Sequence, residues 1–235
     1  MCVTFHPYAG LPLRKHFEMK KITQAVAANM QFSIGFILIL FIASLFLFVN
    51  KDKEAFLILN SYHSPGLDIF FTFYTHFGNG FFSVILGIIF LLTKRVLLAQ
   101  KVIAAYLLSG IFVQIIKHLV YAPRPKMIFD PSVYSNFIDG VTLANASGFP
   151  SGHTASAFAL AAILAIHTKN KKISFLYLVA AILAGFSRIY LGQHFLSDVI
   201  AGSLIGVISA FAVHSFMQNS NFNTPLSKLL QRVKL

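Results

Sequence analysis

The sequence predicts an all-α membrane protein in which six transmembrane helices form a bundle. Of its 235 residues, 57% are hydrophobic and only 11% are charged, and the mean hydropathy is +0.74. These values are typical of integral membrane proteins. Apolar runs bounded by charge, proline or glycine supply the six spans, which are expected at 32–49, 79–93, 102–117, 155–167, 173–187 and 197–217.

The runs differ in length and composition. The first, 32–49, has no charge and nearly reaches the roughly 20 residues that cross a bilayer core of about 30 Å. It begins too far into the chain for a cleaved signal peptide. The fourth and fifth runs are short and rich in alanine, which favours helices packed inside the bundle. We therefore expect one membrane domain over 32–217, with terminal segments at 1–31 and 218–235.

Positive charge is distributed unevenly between the two sides of this arrangement. Six spans place both termini on one side, together with the loops at 94–101 and 168–172. That side carries 13 of the 19 lysines and arginines but only one of the seven acids, whereas the other side carries six of each sign. The positive-inside rule makes the first side cytoplasmic, so we expect a multi-pass protein of the inner (plasma) membrane with cytoplasmic termini. The net charge of +12 then reflects orientation and contact with anionic lipid, and gives no support for nucleic-acid binding.

Two cations on the outer side follow each other at the end of the third span. Lys117 ends the run, and Arg124 stands between Pro123 and Pro125. The prolines stop the helix and push the residue before them toward extended geometry, so Arg124 should project from a stiff turn over the outer end of the bundle. Taken alone, both side chains could simply snorkel to lipid phosphates.

A second group of charged residues occupies the same outer level. Arg188, His194 and Asp198 lie within the twelve residues 187–198. If the sixth span begins near His194, the spacing of four lets Asp198 hold the imidazole from the same helix face. An acid at the head of a span is a functional candidate, although it also complements the helix macrodipole.

The fourth span opens with the stretch Pro-Ser-Gly-His at 150–153. The first N–H groups of a helix lack intrahelical partners and form a site for an anion, which Gly152 allows to approach closely. His153 then lies within reach of whatever is bound. A titratable residue at this position is costly unless it is used.

These residue types together suit phosphoryl transfer. Lysine, arginine and backbone amides cradle phosphate oxygens. If Asp198 fixes His194 in one tautomer, the other ring nitrogen stays free for nucleophilic attack. His153 can protonate a leaving alcohol and then deprotonate water.

A metal triad is the rival interpretation of two histidines and one aspartate. Three cations around the site would repel a metal ion, and they can themselves take the role that Mg²⁺ plays in other phosphoryl transfers. Cys2 is the only cysteine, so the sequence offers neither a thiolate cluster nor an intramolecular disulfide. We expect no metal and no other cofactor.

Three motifs in order resemble the signature of the type 2 phosphatidic acid phosphatase (PAP2) superfamily, which also includes the vanadium haloperoxidases. The signature is Lys, six residues, Arg-Pro; then Pro-Ser-Gly-His; then Ser-Arg, five residues, His, three residues, Asp. The chain matches all three without gaps, with "KHLVYAPRP" at 117–125, "PSGH" at 150–153 and "SRIYLGQHFLSD" at 187–198. The resemblance implies a six-helix bundle of PAP2 type.

The resemblance also implies roles for individual residues. His194 would carry a phosphohistidine intermediate, Asp198 would orient it, and His153 would act as acid and then as base. No metal would be required, and the site would face the periplasm or the cell exterior. The phosphoryl oxygens would be bound by Lys117, Arg124, Arg188, Ser151 and the Gly152 amide.

The function expected from this resemblance is hydrolysis of a phosphomonoester or diphosphate on a lipid in the bilayer. The candidate substrates are undecaprenyl diphosphate, lipid A, phosphatidylglycerol phosphate and phosphatidic acid. One alternative is a phosphotransferase in which an alcohol, rather than water, attacks the phosphohistidine. A haloperoxidase is disfavoured because known members are soluble. A non-catalytic lipid carrier or binder is the remaining alternative, but binding alone does not need a fixed nucleophile.

Overall fold

The computed structural model describes residues 29–143 and 147–219, and every regular element in these two stretches is helical. The all-α prediction is therefore confirmed for this part of the chain. The predicted terminal segments 1–31 and 218–235 lie almost wholly outside it. A 3₁₀ turn at Thr75–Gly78 joins the second helix to the third. The helices are α1 Met30–Leu59, α2 Pro65–Tyr74, α3 Gly80–Leu92, α4 Val96–Leu119, α5 Pro125–Ile128, α6 Gly152–His167, α7 Lys171–Tyr190 and α8 Leu196–Asn219.

Four of the described helices, α1, α4, α7 and α8, are long and apolar enough to cross a bilayer. The segment Pro65–Gly78 meets α3 at an angle of 57°, and the pair makes a fifth span if it is counted as one broken helix. Helix α6 is also apolar but has only 16 residues. The six-span count remains a prediction in which α6 is the sixth member.

Helix α1 extends further than its apolar run. The predicted span ends at residue 49, whereas the helix continues to Leu59, with a single break at Lys51, where φ is +53°. The charged residues at 51–54 end the hydrophobic pattern, but they are acceptable in a helix. Asp52 accepts hydrogen bonds from the amide and the hydroxyl of Ser197. This extension therefore docks α1 against the start of α8.

Helix α6 lies in the centre of the bundle and packs against α4, α7 and α8. Its alanines are almost completely buried, in agreement with the expectation for this run. Two glycines of α8, spaced by four, allow the backbones of α6 and α8 to approach closely. A Cβ atom at Gly202 would lie 2.5 Å from the carbonyl oxygen of Ser151, and one at Gly206 would lie 2.9 Å from the amide nitrogen of Ala159. Glycine is therefore required at both positions.

A lysine and two histidines tie the opposite ends of the same helices together. Nζ of Lys101 lies 3.3 Å from Nε2 of His167 and 3.2 Å from Nδ1 of His214. Lys101 was expected in the cytoplasmic loop 94–101, but α4 already begins at Val96, and the side chain is only 3% exposed. Because an ammonium group only donates, both ring nitrogens accept, and both histidines are neutral. The cluster joins α4, α6 and α8.

Candidate active site

His194 lies in the turn between α7 and α8 and is held by Asp198 from the first turn of α8. The distance between Nδ1 of His194 and Oδ2 of Asp198 is 3.0 Å, and the same oxygen accepts a hydrogen bond from the amide of Phe195 at 3.0 Å. The predicted contact is present, but its geometry differs from the expected i,i+4 pair on one helix face because α8 begins only at Leu196. A carboxylate accepts hydrogen bonds, so Nδ1 carries the proton and Nε2 keeps its lone pair.

Arg124 faces the free nitrogen of this histidine. Its Nη1 lies 3.4 Å from Nε2 of His194, and a guanidinium can only donate, which agrees with the tautomer set by Asp198. The backbone of Arg124 is extended, with φ −77° and ψ 162°, as the flanking prolines predict. The side chain is 8% exposed, so it points into the bundle and does not snorkel to lipid.

Arg188 lies in the last turn of α7 and is 6% exposed. Its Nη1 donates to the hydroxyl of Thr75 at 2.6 Å. Its Nε is buried and makes no hydrogen bond to any part of the chain that the structure describes. A buried charged donor without an acceptor is costly. This nitrogen therefore marks a position where an anion would be favourable.

Lys117 completes the cationic group from the end of α4. Its ammonium donates to the carbonyl oxygen of Ser147, and it interacts electrostatically with Arg124, Arg188 and Asp198. The three predicted cations are thus brought to one place, around one carboxylate. Their charges exceed the charge of Asp198, so the pocket suits a multiply charged anion.

Ser151 caps the N-terminus of α6. Its hydroxyl accepts hydrogen bonds from the amide and the hydroxyl of Thr154, at 3.4 and 2.8 Å, and its amide donates to the carbonyl oxygen of Asp198 at 3.0 Å. The Ser151 side chain is therefore engaged with Thr154, and its predicted contact with a phosphoryl oxygen stays a prediction. The amides of Gly152 and His153 belong to the first turn, where no partner exists within the helix.

His153 borders the cationic group at the start of α6. It interacts electrostatically with Arg188, His194 and Arg124, and also with His76 from the 3₁₀ turn. A Cβ atom at Gly78 would lie 3.0 Å from the carbonyl oxygen of His153, so this turn packs directly on the first turn of α6. The 3₁₀ turn therefore forms a wall of the site.

Two residues that the sequence did not single out support the arginines. Thr75 accepts from Arg188, and Gln193 accepts from Arg124. Gln193 stands directly before His194 within the third motif, and this position could have identified it as a residue of the site. Thr75 carries no sequence signal, because its partner lies 113 residues away in the chain.

His63 lies in a polar network next to α7. Its Nδ1 lies 2.9 Å from Oδ1 of Asp68, and its ring stacks on Tyr190 with a centroid separation of 4.2 Å. The hydroxyl of Tyr190 donates to the same carboxylate oxygen at 2.6 Å. This network fixes the end of α7 two residues after Arg188.

The environment keeps His194 neutral. Burial lowers its pKa well below the usual 6.5, and Arg188, Arg124 and Lys117 lower it further, against a smaller opposing effect of a backbone hydrogen bond with Gly148. Burial also lowers the pKa of Arg124, whereas Asp198 raises it. Within residues 29–143 and 147–219, no three His, Cys, Asp or Glu side chains converge as metal ligands.

The chain shares both sequence and fold with known membrane phosphatases. The family model described as the PAP2 superfamily matches residues 98–222. The lipid A 4'-phosphatase of Porphyromonas gingivalis is 30% identical over 71% of this chain and 72% of its own length. The undecaprenyl-diphosphatase BcrC of Bacillus subtilis is 29% identical over 74% of this chain and 85% of its own length. A crystal structure of LpxE from Aquifex aeolicus superimposes with a TM-score of 0.59 and 32% identity, over 69% of this chain and 94% of that one.

The fold and the site define a multi-pass membrane protein of the phosphatase class. The chain belongs to the PAP2 superfamily, as its three motifs predicted.

Proposed function

We propose that the protein is a membrane lipid phosphatase that hydrolyses a phosphomonoester or diphosphate through a phosphohistidine on His194. The observation that carries this proposal is the geometry of one imidazole. Asp198 holds Nδ1 at 3.0 Å, while Nε2, with its lone pair, faces Nη1 of Arg124 at 3.4 Å. A nucleophile fixed in one tautomer beside a cationic phosphate pocket is suited to attack on phosphorus. The names of the relatives support a lipid substrate.

In the first step, the lone pair of His194 Nε2 attacks the phosphorus atom and forms a P–N bond. The bond between phosphorus and the leaving oxygen breaks, and that oxygen takes a proton from His153. Asp198 balances the positive charge that develops on the ring of His194. Lys117, Arg124 and Arg188 stabilise the charge on the phosphoryl oxygens, as preorganised donors do in other phosphoryl transfers.

In the second step, water attacks the phosphorus atom and the P–N bond breaks. His153, neutral after the first step, takes a proton from the water and so regains its starting state. Inorganic phosphate leaves, and His194 is neutral again. Each residue returns to its initial protonation state, so the cycle needs no external proton carrier.

The chemistry requires no metal ion in this proposal. Metal ions serve phosphoryl transfer by neutralising oxygen charges and by orienting the group. Three buried or half-buried cations on separate elements can perform both tasks, and they disfavour a divalent cation by repulsion.

A groove lined by α3, α6 and α7 suits the hydrocarbon part of the substrate. Its volume is about 510 Å³, and its walls are almost entirely apolar. Residues three, four or seven apart share a helix face, so its α6 wall continues the face of His153 and its α7 wall continues the face of Arg188. The α6 wall comprises Ala157, Leu160, Ala161 and Leu164, and the α7 wall comprises Tyr177, Ala180, Ala181 and Ala184.

A second apolar groove, of about 340 Å³, lies between α1, α7 and α8. Its α7 wall is formed by Ile182, Phe186 and Ile189, which lie on a different helix face from Arg188. We therefore assign the lipid tail to the first groove. The substrate class is a lipid phosphate or diphosphate, with undecaprenyl diphosphate, lipid A, phosphatidylglycerol phosphate and phosphatidic acid as candidates.

The charge distribution orients the site in the plasma membrane. The positive-inside rule places the termini in the cytoplasm and the outer end of the bundle toward the periplasm or exterior. Ser135 is exposed in the loop between α5 and α6. A cysteine introduced at this position should react with an impermeant thiol reagent in intact cells when Cys2 is replaced by serine. Labelling that requires permeabilised membranes would reverse this orientation.

The proposal is tested by phosphate release from the purified protein in detergent. The four candidate lipids are assayed side by side with EDTA present, and the His194→Ala variant serves as the inactive control. We expect release from at least one lipid, unaffected by EDTA and inhibited by vanadate, which adopts the five-coordinate geometry of the transferring group. Release that EDTA abolishes and a divalent ion restores would overturn the metal-free mechanism. Transfer to an added alcohol without release to water would identify a phosphotransferase, and binding without turnover would identify a carrier.

A further inference from the structure

Gln193 connects both site arginines to the loop that follows α5. Its backbone amide donates to the carbonyl oxygen of Arg188 at 2.9 Å. Its backbone carbonyl accepts from Nη1 of Arg124 at 2.9 Å, and its side-chain Oε1 accepts from the same nitrogen at 3.2 Å. Its Nε2 donates to the carbonyl oxygen of Val141. One residue thus contacts the guanidinium of Arg124, the backbone of Arg188 and a loop outside the motifs.

These contacts define the orientation of the Gln193 side chain. The amide is 2% exposed, and a buried amide requires partners for both its oxygen and its nitrogen. A guanidinium only donates and a carbonyl only accepts, so Oε1 must face Arg124 and Nε2 must face Val141. Rotation of the amide by 180° would lose both bonds. The side chain is therefore fixed from two sides.

The fixed amide in turn helps to orient Arg124. Arg124 has an extended backbone between two prolines and directly precedes α5. Two oxygens of Gln193 accept hydrogen bonds from Nη1 of Arg124. The same nitrogen lies 3.4 Å from Nε2 of His194. During transfer the phosphoryl oxygens come close to Nε2 of His194. A hydrogen-bond donor beside this nitrogen can stabilise their negative charge.

We propose that Gln193 is a positioning residue that holds Arg124 against the phosphoryl group and links that position to the loop at Val141. The expected change in reaction rate rests on the proposed function. The expected change in anion binding does not, because binding requires no turnover. The ligand concerned is the phosphoryl group itself, in the substrate or in its vanadate analogue.

The same loop offers a matched control at Thr142. Its hydroxyl donates to the carbonyl oxygen of Leu191 at 2.9 Å, so it anchors the loop to the same turn as Gln193. It is buried, at 7% exposure, and its hydroxyl also accepts from the amide of Ile138 at 3.1 Å. Thr142→Val removes a loop anchor of similar kind and leaves in place the two oxygens of Gln193 that accept from Arg124.

The experiment compares Gln193→Met, Gln193→Glu and Thr142→Val in the full-length protein in detergent. Vanadate binding is measured by thermal shift, and kcat and KM are measured on a lipid substrate and on p-nitrophenyl phosphate. Because a hydrogen bond to a charged group is lost, Gln193→Met should weaken vanadate binding and lower kcat/KM about 10- to 100-fold, equally on both substrates. Gln193→Glu should also weaken vanadate binding, because its carboxylate pairs with Arg124 and repels the anion. Thr142→Val keeps both hydrogen bonds between Gln193 and Arg124, so it should lower thermal stability and weaken vanadate binding much less than Gln193→Met does.

A double-mutant cycle distinguishes positioning from general loss of structure. In the Arg124→Lys background, Gln193→Met should change vanadate affinity by less than about twofold, because residues that act through one another are not additive. Full additivity, wild-type vanadate affinity in both Gln193 variants, or an equal loss in Thr142→Val would overturn the proposal. A wild-type protein that binds vanadate but releases no phosphate would overturn the proposed function and leave the test of Gln193 intact.

Discussion

The carboxylate of Asp198 reaches back from the first turn of α8 to hold the ring of His194, with 3.0 Å between Oδ2 and Nδ1. The same oxygen accepts the amide of Phe195, so the aspartate fixes the backbone of the turn as well as the imidazole. Both tasks need a hydrogen-bond acceptor, but only a carboxylate can balance charge on the ring.

Two substitutions separate the acceptor from the charge. Asp198→Asn keeps an oxygen for Phe195 and Nδ1, and loses the negative charge that stabilises the phosphorylated ring. We expect its kcat to fall about 10²–10³-fold, the loss typical when one preorganised electrostatic group is removed. Asp198→Ala also releases the turn, and should lose more. The measurement is kcat on a lipid substrate together with the melting temperature. Equal kcat values for the two variants would show that the charge contributes nothing.

The two histidines should differ in their dependence on the leaving group. His194→Ala removes the attacking nitrogen, so activity should fall to background on every substrate. His153→Ala removes the acid, which a lipid alcohol needs and an activated aryl oxide does not. General acid catalysis typically contributes about 10²–10⁴-fold, so p-nitrophenyl phosphate should recover part of that factor in His153→Ala.

A labelled substrate follows the intermediate in the same variants. Slow hydrolysis should let phosphohistidine accumulate in His153→Ala, where denaturation without acid traps it. Label on the His194→Ala protein, or equal losses on both substrates in His153→Ala, would mean that the two roles are wrongly assigned.

The pH dependence of the first step should reflect the unusual environment of His194. Its folded-state pKa lies well below 6.5, chiefly through burial and then through the three cations. The nucleophile therefore stays neutral and active as the pH falls through about 6.5, where an ordinary histidine would be protonated. We expect the rate of the p-nitrophenol burst at saturating substrate to hold between about pH 7.5 and 5.5. An acid limb with a midpoint near 6.5 in this burst would contradict a depressed pKa.

The lowered pKa of His194 maintains the reaction rate at lower pH but reduces the stability of the folded protein there. Below about pH 6.5 the unfolded chain binds a proton at His194 that the folded site excludes, so the stability from this group is present at neutral pH and is lost on acidification. On acidification the melting temperature in detergent should therefore fall more in the wild type than in His194→Ala, which lacks this group. The two measurements together separate protonation of the nucleophile from loss of the fold.

The close approach of α8 to α6 should depend on single glycines. Gly206→Ala places a Cβ where Ala155 and Ala159 already lie, so the helices must separate. Overpacking of this kind costs about 1–3 kcal/mol, and the separation also displaces the Ser151–Asp198 backbone contact. We expect a lower melting temperature and lower activity.

Gly110→Ala in α4 is the matched control, because among the described residues no atom beyond the adjoining backbone of its own helix lies within 4 Å of its Cβ position. Helix propensity then makes this change neutral or stabilising by up to about 1 kcal/mol. A loss of stability in Gly110→Ala similar to that in Gly206→Ala would show that the effect does not arise from helix contact.

The assignment of the lipid tail predicts a selective effect on lipid substrates. Ala180 is exposed on the wall of the larger groove, and Ala180→Phe should narrow it. KM for the lipid should rise about tenfold, equivalent to about 1.4 kcal/mol of binding, with p-nitrophenyl phosphate unaffected. Ala43→Phe, in the second groove, should leave both substrates unchanged. The opposite pattern would place the tail between α1, α7 and α8.

The sequence was sufficient to predict the fold class and to select residues that the structure brings together. Its motifs lie at the end of α4, the start of α6 and the end of α7, because apolar runs define the helices and charge marks where they end. The contact of Asp198 with His194 follows from a spacing of four, although α8 starts later than expected.

Other features depend on contacts that no local pattern encodes. Thr75 reaches Arg188 across 113 residues of chain, and the hydroxyl of an ordinary threonine gives no warning of it. Lys101 resembles a loop cation in sequence, yet it is buried because two histidines on other helices accept from it. Hydropathy does not predict the extension of α1 beyond residue 49. It indicates where a helix leaves the lipid, and this helix continues past that point.

The shortness and burial of α6 have a consequence for biosynthesis. With 16 residues, it falls below the roughly 20 that a helix needs to cross the bilayer alone, and its alanines contribute little to partitioning into lipid. The segment that carries His153 therefore depends on its neighbours to remain in the membrane as the chain leaves the ribosome. Its most extensive packing is against α8, which follows it in the chain, so the N-terminus of α6 and the turn of His194 become ordered together only after α8 has been made. The proposed site is therefore incomplete in a nascent chain until α8 has inserted.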